Sequence, residues 1–140
     1  PYYNIFYFYN LYNVSCETQI GEGETMERQK LIDLVLANTD GYECYPFNGP
    51  NSHEKIKWTV IKHRSNHKIM ALIFEIDGQL LIDIKLDLDQ GDILRQSETG
   101  VYPGYHMNKV HWNTVAVNRT SLTNDEILGL IKESAKLTLK

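Results

Sequence analysis

Three consecutive strand-like runs, at residues 56–63, 69–76 and 80–86, constrain the fold of this chain more than any other feature. Each run is rich in Ile, Val and Leu, and only short polar breaks separate them. The second break, Asp77-Gly78, is a strong signal for a type I′ hairpin turn. The sequence therefore predicts three neighbouring antiparallel strands.

The third run alternates in polarity, which indicates how its strand faces the core. Leu80, Ile82, Ile84 and Leu86 alternate with Leu81, Asp83, Lys85 and Asp87. Successive side chains of a strand point to opposite faces of the sheet. This pattern predicts that one face of the sheet is buried and the other is largely in contact with water.

Helical patterns flank the three runs. Apolar residues recur at helical spacing in 27–38, and a short helix is expected after Asp89 as its N-cap. Thr123 and Glu126 form a capping box that opens a helix to about Leu139. A further strand is favoured at 112–117. This order predicts an α+β fold of two layers, an antiparallel sheet with helices on one face.

The composition is typical of one globular domain. The chain has 140 residues, of which 42% are hydrophobic and 23% charged, so disordered and coiled-coil classes are disfavoured. Cys16 and Cys44 form neither a CxxC pair nor a ligand cluster, which favours free thiols in a reducing cytosol. The sequence thus predicts a cytoplasmic protein without a membrane span, a metal or a cofactor.

The first 25 residues differ from the remainder. Residues 1–14 hold five of the nine tyrosines and no charged side chain, and we interpret 1–25 as a leader, either translated upstream sequence or disordered. An extra edge strand or an amphipathic anchor are the alternatives. The predicted domain, 26–140, begins at Met26 and carries 14 basic and 15 acidic side chains. Bulk charge therefore does not favour strong binding to nucleic acid, and only a local patch could serve.

The segment from Tyr102 to Val115, YPGYHMNKVHWNTV, resembles the signature of the MmcQ/YjbR family. Further marks of the family occur in order at 45–47, 58–60, 68–73 and 82–85, and the resemblance covers about 27–138. Ala135 departs from it, since the family usually has an aromatic residue there. The resemblance implies a two-layer fold similar to type III secretion chaperones and a double-wing mode of DNA binding.

Residues 53–68 carry the one local excess of positive charge that stands out, with five Lys and Arg side chains against Glu54. Such side chains on a hairpin could meet phosphates on either side of a groove. The candidate phosphate contacts are Lys55, Lys57, Lys62, Arg64, Lys68 and Lys109, and His111 and Asn113 are candidates for groove contacts. The alternative is a solvated hairpin whose charges protect a sheet edge.

Two other functions stay open. A small-molecule pocket or an enzyme would need a cavity that holds His106, His111 or Lys109 with a shifted pKa, and an adaptor for proteins would need an exposed apolar face. No catalytic triad, phosphate loop or metal cluster is evident, so catalysis is not favoured. The sequence predicts a monomer that binds duplex DNA weakly and largely without sequence preference.

Overall fold

The computed structural model describes residues 25–140, so nearly all of the predicted leader lies outside the described part. The elements in chain order are α1 (Arg28–Asn38), β1 (Gly41–Cys44), β2 (Thr59–His63), β3 (Ile69–Ile76), β4 (Gln79–Lys85), α2 (Leu88–Ser97), β5 (Val101–Pro103), β6 (Trp112–Ala116) and α3 (Asn124–Thr138). Within this range no helix is long and apolar enough to cross a bilayer.

The six strands form one antiparallel sheet in the order β1-β2-β3-β4-β6-β5. The predicted hairpins are its centre, and β3 has the bounds expected from the sequence. Asp77 and Gly78 join β3 to β4 with φ angles of 52° and 75°, the left-handed conformation that a type I′ turn requires. The prediction of three neighbouring antiparallel strands is confirmed.

Two short strands, β1 and β5, were not predicted. Gly41 and Pro103 made these segments look like a helix end and a loop, because both residue types are depleted in strands. Both strands lie at the edges of the sheet, where proline is tolerated. The second helix begins after Asp87, two residues earlier than predicted.

The helices pack on one face of the sheet, as predicted. Their shared core is built from apolar side chains of α1, α3 and the central strands, including Leu31, Val35, Ile61, Ile73, Ile82, Ile84, Ile127 and Ile131. Thr123 and Glu126 form the predicted capping box at the start of α3. We call this side of the sheet the helix side.

The opposite face is also buried, which corrects the prediction that it is largely in contact with water. A second apolar cluster lies there and includes Trp58, Leu72, Phe74 and Leu81. The loops at 45–58 and 104–111 cover it, and even Asp83 is completely buried. Alternation in one strand shows which side chains share a face, but it does not show which loops cover that face. We call this the loop side.

Candidate functional site

The loop at 45–58 is shaped by one asparagine. The Asn48 side-chain amide donates to the carbonyl of Ile56 at 2.8 Å, and its oxygen accepts from the Trp58 backbone N–H at 2.8 Å. These bonds satisfy backbone groups that have no strand partner. They hold Trp58 on the sheet, where its ring centroid lies 4.5 Å from that of Phe74.

The loop at 104–111 is held by its approach to β6. The Gly104 N–H donates to the Trp112 carbonyl at 2.7 Å, and a Cβ at Gly104 would lie 2.8 Å from the same oxygen, so a side chain does not fit. The Tyr105 N–H donates to the Thr114 hydroxyl at 2.9 Å. Tyr105 is thereby placed over the sheet and stacks on Phe74, with ring centroids 5.6 Å apart.

A wide depression of about 1390 Å³ lies between the two loops, and we call it the aromatic depression. It is lined by Phe47, Ser52, His53, Glu54, Lys55, Ile56, Trp58, Tyr105, His106, Met107, Asn108, Lys109 and Val110. The His106 ring stacks on Trp58 at a centroid distance of 4.9 Å and meets Phe47 edge-on at 5.8 Å. The depression therefore combines apolar rings with two lysines.

A second depression, of about 720 Å³, lies where β2 ends and β3 begins. Four lysines, Lys62, Lys68, Lys85 and Lys140, line it together with His67, Ile69, Met107, Trp112, Leu137 and Thr138. Lys62 is paired with Ile69 and Lys85 with Trp112 in the sheet register. We call it the lysine depression.

The two depressions are neighbours, because Met107 lines both. Together they are bordered by six lysines and one acidic side chain, that of Glu54. We call this combined surface the lysine-lined face. The near-neutral charge of residues 26–140 is therefore distributed unevenly over their surface.

The structure divides the predicted phosphate contacts into two groups. Lys55, Lys62, Lys68 and Lys109 border the lysine-lined face. Lys57 lies with its ammonium 5.3 Å from the centre of the Tyr45 ring. Arg64 lies 5.8 Å from the Tyr42 ring and borders a separate depression that also contains Asp40 and Glu43. Neither Lys57 nor Arg64 lines the larger depressions.

His111 and Asn113 do not share one environment. His111 is exposed, and its carbonyl accepts from the Leu86 N–H at 2.8 Å. The Asn113 side chain is 1% exposed and accepts from Arg95 on the helix side. Because Asn113 is buried there, its position does not support the predicted groove contact.

Two residues of the lysine-lined face were missed by sequence reasoning. In β4, side chains alternate between the two faces of the sheet, so Lys85 points to the same face as Asp83. The alternating sequence pattern could therefore have placed Lys85 on the loop side. Lys140 lies far from Lys62 in sequence, and only the packing of α3 brings its residues to the lysine depression. No local pattern could have shown that proximity.

Asp83 lies on the loop side of the sheet and is completely buried there. Burial raises the pKa of its carboxyl well above the usual value, and the hydroxyl of Thr114, donating at 2.5 Å, opposes this only in part. The other carboxyl oxygen has no hydrogen-bond partner within the described residues. Burial thus disfavours the ionised form of Asp83.

The residues of the pocket hypothesis and the possible metal ligands are placed as follows. His106 and Lys109 line the aromatic depression, but His111 does not. Burial lowers the pKa of Lys109. Within residues 25–140, no three His, Cys, Asp or Glu side chains are grouped so that they could hold a metal ion. The aromatic depression thus brings together two of the three residues named for the pocket or enzyme hypothesis.

Comparison with known proteins identifies the family. The YjbR family model matches residues 43–137, which include both loops and the lysine-lined face up to Leu137. The chain belongs to the YjbR family. The match confirms the resemblance seen in the segment from Tyr102 to Val115.

Two relatives of this YjbR-family chain illustrate the range of similarity. The protein YyaQ of Bacillus subtilis is 38% identical over 88 residues, which are 56% of this chain and 73% of YyaQ. YjbR of Escherichia coli K12 is 27% identical over 77 residues, 55% of this chain and 64% of YjbR. The chain thus spans about two thirds of the length of these relatives.

Solved structures confirm the α+β fold of this YjbR-family chain. A protein from Pseudomonas syringae is 34% identical with a TM-score of 0.66, and the match covers 81% of this chain and 99% of that protein. Protein DR2400 of Deinococcus radiodurans, a DUF419 domain, is 24% identical with a TM-score of 0.64, covering 80% of this chain and 78% of the other.

Proposed function

We propose that this YjbR-family protein binds duplex DNA weakly and largely without sequence preference through the lysine-lined face. The supporting observation is that six lysines and only one acidic side chain border two adjoining depressions of the described residues. A polyanion with regularly spaced phosphates complements such a surface, whereas a neutral ligand would not use its charge. The wing-like β2–β3 hairpin contributes Lys62 and Lys68 to it.

The rest of the surface carries the compensating negative charge. Asp125 and Glu126 lie in the first turn of α3 on the helix side, and Glu75 pairs with Arg28 at 3.6 Å. Like charge near phosphates is repelled, so the first turn of α3 is disfavoured for DNA. This asymmetry supports one orientation of the protein on the duplex.

The type of basic residue favours binding without sequence preference. All six basic side chains of the lysine-lined face are lysines, whereas the commonest specific base contact is a bidentate arginine to guanine. Arg28 and Arg95 are engaged on the helix side with Thr59 and Asn113. Phosphate contacts from lysines position a protein on DNA but carry no sequence information.

The number of lysines sets the expected affinity. If about five phosphates are neutralised, log K falls with log salt at a slope of roughly −4 to −5. The dissociation constant at physiological salt is then about 10⁻⁴ to 10⁻⁶ M, the range of non-specific binding.

Charge reversal on the two sides of the sheet tests this proposal. We expect Lys62→Glu with Lys68→Glu to reduce binding of a labelled duplex at least tenfold at about 50 mM salt, because phosphate attraction becomes repulsion. The matched control, Lys132→Glu with Lys136→Glu, makes the same change of charge on exposed positions of α3. Fluorescence anisotropy measures binding, and melting temperatures verify that both variants fold. Equal binding by the two variants, or no salt-dependent binding by the wild type, would refute the proposal.

A further inference from the structure

The aromatic depression differs in chemistry from a simple phosphate-binding surface. Phe47 is 36% exposed and Val110 51% exposed, so apolar groups at this depression remain accessible. Trp58 and Tyr105 lie beneath them and are almost completely buried. Lys55 and Lys109 line the same depression. Phosphate binding alone requires the lysines but not the exposed rings.

His106 is held in an unusual conformation at this depression. Its φ angle is 68°, in the left-handed region that residues other than glycine seldom adopt. Its side chain is exposed, yet its ring contacts both Trp58 and Phe47. Residues held in such sparsely populated conformations cluster at ligand-binding sites. The backbone therefore keeps an accessible aromatic ring in contact with two others.

The floor of the depression contains an unused hydrogen-bond donor. The indole Nε1–H of Trp58 is buried and has no acceptor within residues 25–140, although Trp58 is only 1% exposed. A buried donor without a partner is unusual in a folded protein. Because the Trp58 ring is covered by the stacked His106 ring, the groups that a ligand in the depression would contact are the exposed rings and the lysines.

We propose that the aromatic depression accepts one unpaired nucleobase while Lys55 and Lys109 contact the phosphates beside it, an inference that rests on the proposed function. A nucleobase offers a planar π-face for Phe47 and His106. It is also attached to an anionic backbone, which suits the six lysines of the lysine-lined face. A paired base inside a duplex cannot reach the depression, so DNA with a bulged base binds more tightly than fully paired DNA.

A labelled duplex with a single bulged 2-aminopurine, compared with the same duplex fully paired, tests this inference on the full chain. We expect about tenfold tighter binding of the bulged duplex, together with quenching of 2-aminopurine emission when it stacks on the rings. Phe47→Ala and His106→Asn should each abolish most of this preference, measured as the ratio of the two affinities for the same variant. Asparagine is chosen because it tolerates the left-handed conformation.

Tyr45→Ala is the matched control, since Tyr45 is an exposed aromatic residue of the same loop that does not line the aromatic depression. It should retain the preference for the bulged duplex. Equal affinity for both duplexes, or a preference that survives Phe47→Ala and His106→Asn, would overturn the inference but leave the proposed function standing. Absence of salt-dependent binding to either duplex would overturn both.

Discussion

The most consequential single residue for pH dependence is Asp83. Its folded pKa lies above the ordinary value of 3.8 because burial disfavours the charged form. The folded protein therefore retains a proton that the unfolded chain releases above about pH 4, and the free energy of unfolding falls as the pH rises until the folded pKa is reached. The largest slope that this one group can add is about 1.4 kcal/mol per pH unit.

Asp83→Asn isolates this effect, since asparagine resembles the protonated acid and can still accept from Thr114. We expect the variant to be more stable than the wild type at pH 8, with the difference shrinking toward pH 4, because asparagine never ionises. Urea unfolding across this range provides the measurement. A difference that does not vary with pH would show that Asp83 is not protonated in the folded protein.

His63 lies in the basic stretch of the sequence but is part of the buried interior of the protein. The sequence places it in the basic stretch, whereas the structure buries it to 1% exposure, with Nδ1 2.5 Å from Asp40 and Nε2 2.8 Å from the Thr138 hydroxyl. We expect His63→Ala to lower the free energy of unfolding by about 2–4 kcal/mol, because it leaves a cavity and removes both bonds. Chemical denaturation measures this loss. The exposed His111→Ala should change stability by less than about 0.5 kcal/mol.

At the level of elements, the local sequence was sufficient to predict those strands and helices that carry a regular apolar pattern, a turn motif or a capping motif. The strands β3 and β4 follow from apolar runs and Asp77-Gly78, and α3 follows from its capping box. The edge strand β5 is only three residues long and contains Pro103, so it is too short to show a strand pattern in the sequence. The loop cover of the sheet depends on contacts such as Asn48 to Trp58, which periodicity does not encode.

The capping box at α3 gives a prediction at this level. The Thr123 hydroxyl accepts from the Glu126 N–H at 3.1 Å, and the Glu126 carboxylate accepts from the Thr123 N–H at 3.0 Å. We expect Thr123→Ala to lower the free energy of unfolding by about 1 kcal/mol, since the first bond is lost. Thermal melts followed by circular dichroism measure this change. Asn124→Ala, one residue further along, should have a smaller effect, and an equal loss would show that the cap does not stabilise the helix.

At the scale of the whole molecule, the sheet separates two kinds of surface. The helices cover one side, while two loops, the strand ends and the C-terminal end of α3 bring six lysines together at two adjoining depressions. The sequence predicted four of these lysines, because they lie in the basic stretch or the family signature. It could not separate Lys57 and Arg64 from these four or bring in Lys140, since packing decides which of these side chains become neighbours. The alternation of β4 could have added Lys85.

The salt dependence of duplex binding tests the central claim most directly, with two pairs of substitutions taken from the same basic stretch. Lys55→Ala with Lys62→Ala removes two lysines of the lysine-lined face, whereas Lys57→Ala with Arg64→Ala removes two cations that lie outside it. Since each phosphate contact contributes about −0.9, we predict that the first pair makes the slope of log K against log salt less negative by about 2. The second pair should leave it nearly unchanged. Equal changes in slope for the two pairs would contradict the account.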